Sequence, residues 1–331
     1  MTASGRHDAA GAARWRGTAV RWVLGLATAA TIVWLAARNW DDLRQVDLSI
    51  EAGWLIGAIA ASFAATLLLA AAWRDLIGGY GTPMGGKPAL RVWMLSQATR
   101  YLPTGLVPIP ARAGLAASHG VKPAAAAASV VVEGATLVGW TAVFAAVWAP
   151  ADWLGTAGGW ALRIVIGVGA AVGLLTLPWT LAGAGAWWRR IDRFMRRVVV
   201  LRPIADRVPA DTLSAERTAV WRATSLYGSS VALRLVVSVL AANALIGANS
   251  DDVWLVAGAT AAGLFVGILG ITPAGLGVRE VVVAALLADR FGVGDAAAFV
   301  IAMRALELAH ELVLLPLAAA AGRAKPAQAS V

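Results

Sequence analysis

The sequence predicts an all-α fold, a polytopic integral membrane bundle of about seven to eight spans. Two segments broken by proline and glycine, of re-entrant character, form a pseudo-repeat within it. Composition is the first observation behind this reading: 59% of the 331 residues are hydrophobic and the mean hydropathy is +0.71, values soluble domains rarely reach. The second is length, because seven apolar stretches, 18–37, 52–73, 124–149, 160–181, 224–246, 253–270 and 296–320, each approach the ~20 residues that a hydrocarbon core of about 30 Å requires. Tryptophan is the third. Trp22 and Trp40, Trp54 and Trp73, and Trp160 and Trp179 each bracket a stretch, at separations of about 27 to 29 Å along a helix, the distance between aromatic belts. Sixteen tryptophans therefore call for no cofactor, and none is assigned.

Taken in order, residues 1–17 form a basic tail with Arg6, Arg14 and Arg16. The first stretch, 18–37, has basic residues ahead of it and an Ala27-Thr28-Ala29 string like a signal cleavage site. Its tryptophan-bracketed length favours a retained helix. The connections 74–122 and 183–222 are basic, whereas 41–51, 150–159 and 248–252 are acidic or nearly uncharged. By the positive-inside rule this alternation places the N-terminus and the long connections in the cytoplasm. A cytoplasmic C-terminal tail, 323–331, then needs an extra crossing or hairpin, for which the short helix 278–291 is the candidate; a similar half-helix spans 89–102. The membrane domain, 18–322, divides into halves of about 18–181 and 224–322 around a connection at 182–223. That connection contains Trp187-Trp188-Arg189-Arg190-Ile191-Asp192-Arg193-Phe194-Met195-Arg196-Arg197, a basic amphipathic pattern suited to the head-group layer.

The run Gly270-Ile271-Thr272-Pro273-Ala274-Gly275-Leu276-Gly277-Val278-Arg279-Glu280 interrupts the second half. Broken backbone in hydrocarbon leaves amides unpaired unless protein or a wet cavity receives them, so this segment is expected to line a polar cavity. Pro103-Thr104-Gly105-Leu106-Val107 is a weaker copy, and Gly120-Val121 and Gly292-Val293 open alanine-rich runs after each break. Paired interruptions in two halves point to a site between repeats.

Charges collect around those breaks. Arg304, Glu307 and Glu311 share one helical face within about 60 degrees, with His310 off it. Glu133 lies a third of the way into its stretch, Arg279 and Glu280 follow the second break, Arg100 and Arg112 flank the first, and Arg234 and Arg163 lie within other stretches. At roughly 2.5 to 3.5 kcal/mol each on insertion scales, such groups face partners or a cavity. Either guanidiniums receive an anionic head group while carboxylates position them, or buried pairs such as Arg304 with Glu307 merely fix packing. Glu307-Leu308-Ala309-His310 has the spacing of a carboxylate-histidine metal site but lacks a second copy, since the other histidines are His7 and His119. No metal is assigned. A formal charge of +9 spread between apolar runs is no nucleic-acid interface, and the lack of cysteine excludes disulfides, thiolate metal sites and thiol catalysis.

Three features, Pro273 to Glu280, the string Arg100-Tyr101-Leu102-Pro103-Thr104-Gly105, and Glu133 after an alanine-rich helix start, resemble the lysylphosphatidylglycerol synthase transmembrane region, also called the flippase-like domain. The chain departs from it at Gly134, where a basic residue is common, and at Pro108-Ile109-Pro110. The resemblance implies a bacterial inner-membrane protein that handles a phospholipid or lipid-linked substrate. It also implies the membrane part without the soluble synthase part, which would not make aminoacyl lipid alone. On this reading the site comprises Arg100, Tyr101, Pro103, Gly105, Arg112, Glu133, Pro273, Gly275, Gly277, Arg279, Glu280, Arg304, Glu307 and Glu311.

Translocation of an anionic or lipid-linked amphiphile is the leading expectation. A membrane-embedded transferase is the alternative, with Glu133 or Glu307 as general base, but the chain has no Asp-x-Asp motif, phosphate loop or Gly-x-Ser-x-Gly elbow. A noncatalytic partner of a separate synthase is the third.

Overall fold

The computed structural model describes residues 51–99, 108–148, 157–197, 214–269 and 277–321. Among these the secondary structure is helical, in nine α-helices: α1 (Ala52–Gly79), α2 (Gly86–Ala98), α3 (Pro108–Ala117), α4 (Pro123–Trp148), α5 (Ala157–Arg197), α6 (Arg217–Ile246), α7 (Val253–Ile268), α8 (Val278–Phe291) and α9 (Val293–Ala320). Intrahelical hydrogen bonding satisfies the backbone in a medium that offers no water, which is why apolar runs of this length fold this way.

Five of the described helices are long and apolar enough to cross a membrane: 52–79, 123–148, 159–184, 217–246 and 250–268. The expected stretch 18–37 lies outside the described residues. The expected stretch 296–320 is helical within α9 but carries Arg304, Glu307 and Glu311 through its middle, so it is not one of the five. The fourth stretch does not stop at residue 181. It continues as helix to Arg197, 41 residues in all with Pro178 inside, so the first part of the expected connection is an extension of the span.

α1 and α6 form the central pair. Glu51 N–H meets the Ala244 carbonyl at 3.3 Å, Ser230 Oγ donates to the Ala65 carbonyl at 2.7 Å, and Glu216 N–H donates to the Gly79 carbonyl at 2.9 Å. Successive contacts advance two heptads on both helices, so the pair runs antiparallel in one register along its whole length. Small residues permit this approach, with Ala58, Ala65 and Ala72 of α1 and Ala219, Ala223, Ala241 and Ala242 of α6 all buried. Trp73, Leu76 and Ile77, fully buried, join α2 and α6 in one core, and Val237, Val256, Leu287 and Phe299 centre a second between α6, α7, α8 and α9.

α4 and α7 pack beside the central pair. The Trp140 ring of α4 lies against Gly228 of α6, where a Cβ would come within 2.5 Å of it, and Trp140 Nε1 donates to the Thr224 carbonyl. α5 is peripheral, with Leu162, Val165, Val168, Val172 and Leu175 exposed, as a helix facing acyl chains would be.

Two short helix–turn–long helix units carry the charged residues. α3 leads through Gly120 (φ 79) into α4, and α8 leads through Gly292 (φ 87) into α9. Both turns need a left-handed residue, which glycine supplies without a Cβ clash. Pro108-Ile109-Pro110 opens α3, where proline costs no hydrogen bond.

The α7–α8 contact depends on the absence of a side chain at Gly263, where a Cβ would fall 2.5 Å from Val283 Cγ2 and 3.1 Å from the Arg279 carbonyl. Gly263→Ala is expected to destabilise the fold by about 1–3 kcal/mol through overpacking, read as a lowered unfolding temperature in detergent. Gly169→Ala on α5, with nothing within 4 Å of its Cβ, is expected to leave that temperature unchanged or raise it.

Candidate functional site

Glu307 of α9 is the centre of the larger charge cluster. Arg279 Nη1 of α8 donates to its Oε1 at 2.8 Å, Arg304 Nη1 one turn earlier on α9 donates to Oε2 at 3.1 Å, and Arg234 Nη1 of α6 lies 3.6 Å from Oε1. A second carboxylate, Glu280, sits beside it, with Oε1 at 3.8 Å from Arg279 and 3.9 Å from Arg304. Its Oε2 accepts the Gly277 N–H at 2.7 Å, the glutamate half of a capping box that closes the α8 N-terminus directly after the second break. Gly277 takes φ 84 there.

Glu280 Oε1 is buried and accepts no hydrogen bond among the described residues. It faces a small cavity of about 40 Å³ lined by Ser62, Arg234, Thr260, Arg279 and Glu307 among others, where there is room for a bridging water.

A larger cavity, about 220 Å³, lies between α2 and α9. Its walls are amphiphilic: Trp93, Met94, Ala98, Leu308, Leu312 and Leu315 supply apolar surface, and Thr66, Gln97, Arg234 and Glu311 supply polar groups. Leu312 is 73% exposed, so the apolar side reaches the surface that lipid covers. Arg234 belongs to the walls of both cavities. At the end of α9, Arg91 of α2 donates to the Ala319 carbonyl, where a cation also complements the helix dipole.

The first-half residues form a separate cluster. Arg112 of α3, 1% exposed, meets Glu133 of α4 at 2.5 Å, donates to Ser96 Oγ at 2.9 Å and stacks 5.5 Å from the Trp73 ring centroid. Glu133 also accepts from Gln97 at 3.0 Å, Tyr227 at 3.2 Å and Trp93 at 3.3 Å. With every lone pair occupied, this is a packed ionic core. Arg112 and Glu133 lie on the wall of neither cavity, and they are linked to the larger cavity through Trp93 and Gln97, which donate to Glu133 and also line it. Of the expected head-group arginines, Arg279 lines the small cavity, Arg304 braces Glu307, and Arg112 is sealed away.

The structure brings Gly277, Arg279, Glu280, Arg304 and Glu307 together, with Glu311 one turn further along α9 on the larger cavity. Arg100, Tyr101, Pro103, Gly105, Pro273 and Gly275 lie outside the described residues. Arg234, Gln97, Ser62, Thr66 and His310 were not among the expected site residues. Arg234 was visible as a mid-span charge, but the hydroxyls of Ser62 and Thr66 gave no signal in an apolar helix.

Loss of one partner from the Arg112–Glu133 pair strands a buried charge. Arg112→Met is expected to destabilise the protein by about 3–5 kcal/mol, measured by thermal unfolding in detergent. Adding Glu133→Gln is expected to recover part of that loss, giving a favourable coupling in a double-mutant cycle.

No curated protein and no solved structure matches the chain. The family described as the lysylphosphatidylglycerol synthase TM region matches over residues 22–314. That match spans both charge clusters, all five apolar spans and every residue of the two cavity walls except Leu315, so the chain is a multi-pass membrane protein belonging to the lysylphosphatidylglycerol synthase TM region family.

Proposed function

We propose that this protein binds an anionic or lipid-linked amphiphile at the larger cavity and moves it between leaflets. The observation that carries the reading is the cavity's mixed wall: Leu308 and Leu312 are exposed, while the buried Thr66 joins Gln97 and Arg234 in supplying polar groups. A volume of about 220 Å³ suits a head group with part of a chain, since whole drug-sized ligands take about 300 Å³ or more. Arg234 is the head-group contact, because its planar fork suits a phosphate. Arg279 and Arg304, through Glu307, position it.

The wider architecture in this reading has seven to eight spans, including 18–37, with a cytoplasmic N-terminus in a bacterial plasma membrane. The two halves are pseudo-repeats with re-entrant breaks. Supporting the repeat, each break is followed by a short helix, a left-handed glycine and a long helix, and in each unit an arginine of the short helix pairs with a glutamate of the long one: Arg112 with Glu133, Arg279 with Glu307. A separate synthase is the natural source or consumer of the lipid.

The test is leaflet exchange of fluorescent anionic lipids in reconstituted vesicles, read by quenching from outside. The native protein is expected to accelerate exchange, and Arg234→Gln to slow it about tenfold or more, the equivalent of one charged hydrogen bond. Exchange no faster than in empty vesicles, across anionic, zwitterionic and cationic lipids, overturns the proposal.

A further inference from the structure

His310 stands apart from the arginine cluster and is only 2% exposed, yet both ring nitrogens have partners. Nδ1 lies 3.0 Å from Ser62 Oγ, and Nε2 lies 3.0 Å from Thr66 Oγ1. The two hydroxyls are one turn apart on α1, but they face different spaces. Ser62 is on the wall of the small cavity and Thr66 on the wall of the larger one. The imidazole therefore bridges the partition between the two hollows, touching a hydroxyl that lines each.

Each nitrogen is also provided for in either protonation state. When Nδ1 carries a proton, the Leu306 carbonyl at 3.1 Å accepts it; when it does not, the Ser62 hydroxyl can donate. When Nε2 carries a proton, Thr66 Oγ1 accepts it and turns its own hydroxyl to the Ser62 carbonyl at 3.1 Å. When Nε2 is bare, the Thr66 hydroxyl donates to it. Both neutral tautomers and the imidazolium are thus fully hydrogen-bonded without moving a helix. A histidine needed only for packing requires one such state.

The charged groups around the ring are Arg234 from α6, which repels a charge on it, and Glu307 and Glu311 from α9, which attract one. α8 contributes Arg279 and Glu280 across the small cavity. α1 brings only hydroxyls and the Phe63 ring, edge-on at 6.0 Å. α2 brings neutral Gln97 at the larger cavity, its Arg91 being held at the far end of α9.

We propose that Ser62, His310 and Thr66 form a proton relay joining the two cavities. With the ring in its Nε2–H tautomer, a hydronium in the small cavity gives a proton to Ser62 Oγ and is left as water, as Ser62 passes its own proton to Nδ1. The ring becomes imidazolium, Nε2 releases its proton to Thr66 Oγ1, and Thr66 hands its hydroxyl proton to a water or to the Glu311 carboxylate of the larger cavity. The ring is left as the Nδ1–H tautomer and resets by the reverse transfer or by rotation. Coupling of this relay to amphiphile movement rests on the proposed translocation; the relay itself does not.

Two measurements separate these. The chain has three histidines, His7, His119 and His310, so the full-length protein with His7→Gln and His119→Gln, labelled with ¹⁵N-histidine in lipid nanodiscs, reports His310 alone. Between about pH 5 and 8, its ring nitrogens are expected to show both neutral tautomers in exchange, and Thr66→Val is expected to collapse them to the Nδ1–H form. One unchanging tautomer across that range, or no effect of Thr66→Val, overturns the relay. In the vesicle assay, a gradient of one pH unit is expected to change native exchange by up to about tenfold, and exchange by His310→Gln to ignore the gradient. Equal gradient dependence in both proteins overturns the relay, and a gradient without effect on the native protein overturns the coupling. Absence of exchange in the native protein removes the translocation reading and leaves the nitrogen signals to decide the relay.

Discussion

Glu307 is the point at which three helices are joined by charge. Arg234, Arg279 and Arg304 come from α6, α8 and α9, and in a low-dielectric setting none can withdraw without exposing an uncompensated carboxylate or guanidinium. Apolar packing alone gives little reason for helices to associate in lipid, where chains are as oily as leucine. The ionic junction supplies that reason for the second half, and Arg112 with Glu133 supplies it for the first, reinforced by Trp93, Gln97 and Tyr227.

The two junctions differ in what surrounds them. Glu133 is closed in by donors and borders no described hollow, whereas Glu307 and Glu280 border one and Arg234 borders two. For an anionic guest, this contrast matters. On the proposed function, it would enter a cluster whose arginines already hold carboxylates, so it would replace one anion with another and change the cluster's charge balance little. Exchange of that kind favours passage over tight retention, since affinity depends only on the difference between the two partners.

The elements were legible in the sequence because helix type and length follow from local apolar runs, as at 52–73 and 224–246, both found within helices, and at 124–149, helical through its described residues to Trp148. The Arg304–Glu307 stripe was legible for the same reason, being set by helical periodicity. Partnerships across the chain were not. His310 meets Ser62 across 248 residues and Tyr227 meets Glu133 across 94, and no periodicity encodes such pairs. Arg112 was grouped with the cavity arginines because it flanks the first break; its burial under Trp73 and against Ser96 is a product of packing that sequence position does not record. The length of α5 was missed because a basic amphipathic stretch reads alike whether it starts a new element or prolongs an old one.

The α1–α6 pairing carries a mechanical implication. Its three contacts recur every fourteen residues on both helices, so a one-turn slip of about 5.4 Å would break all of them together. The pair is accordingly a fixed mast, and sliding along it is closed as a mode of movement. What remains is rotation of the two helical units about Gly120 and Gly292, whose left-handed backbones sit where pivots belong. Because α9 carries His310 against α1 and Glu307 against Arg234 of α6, tilting about Gly292 would alter both contacts in a single stroke.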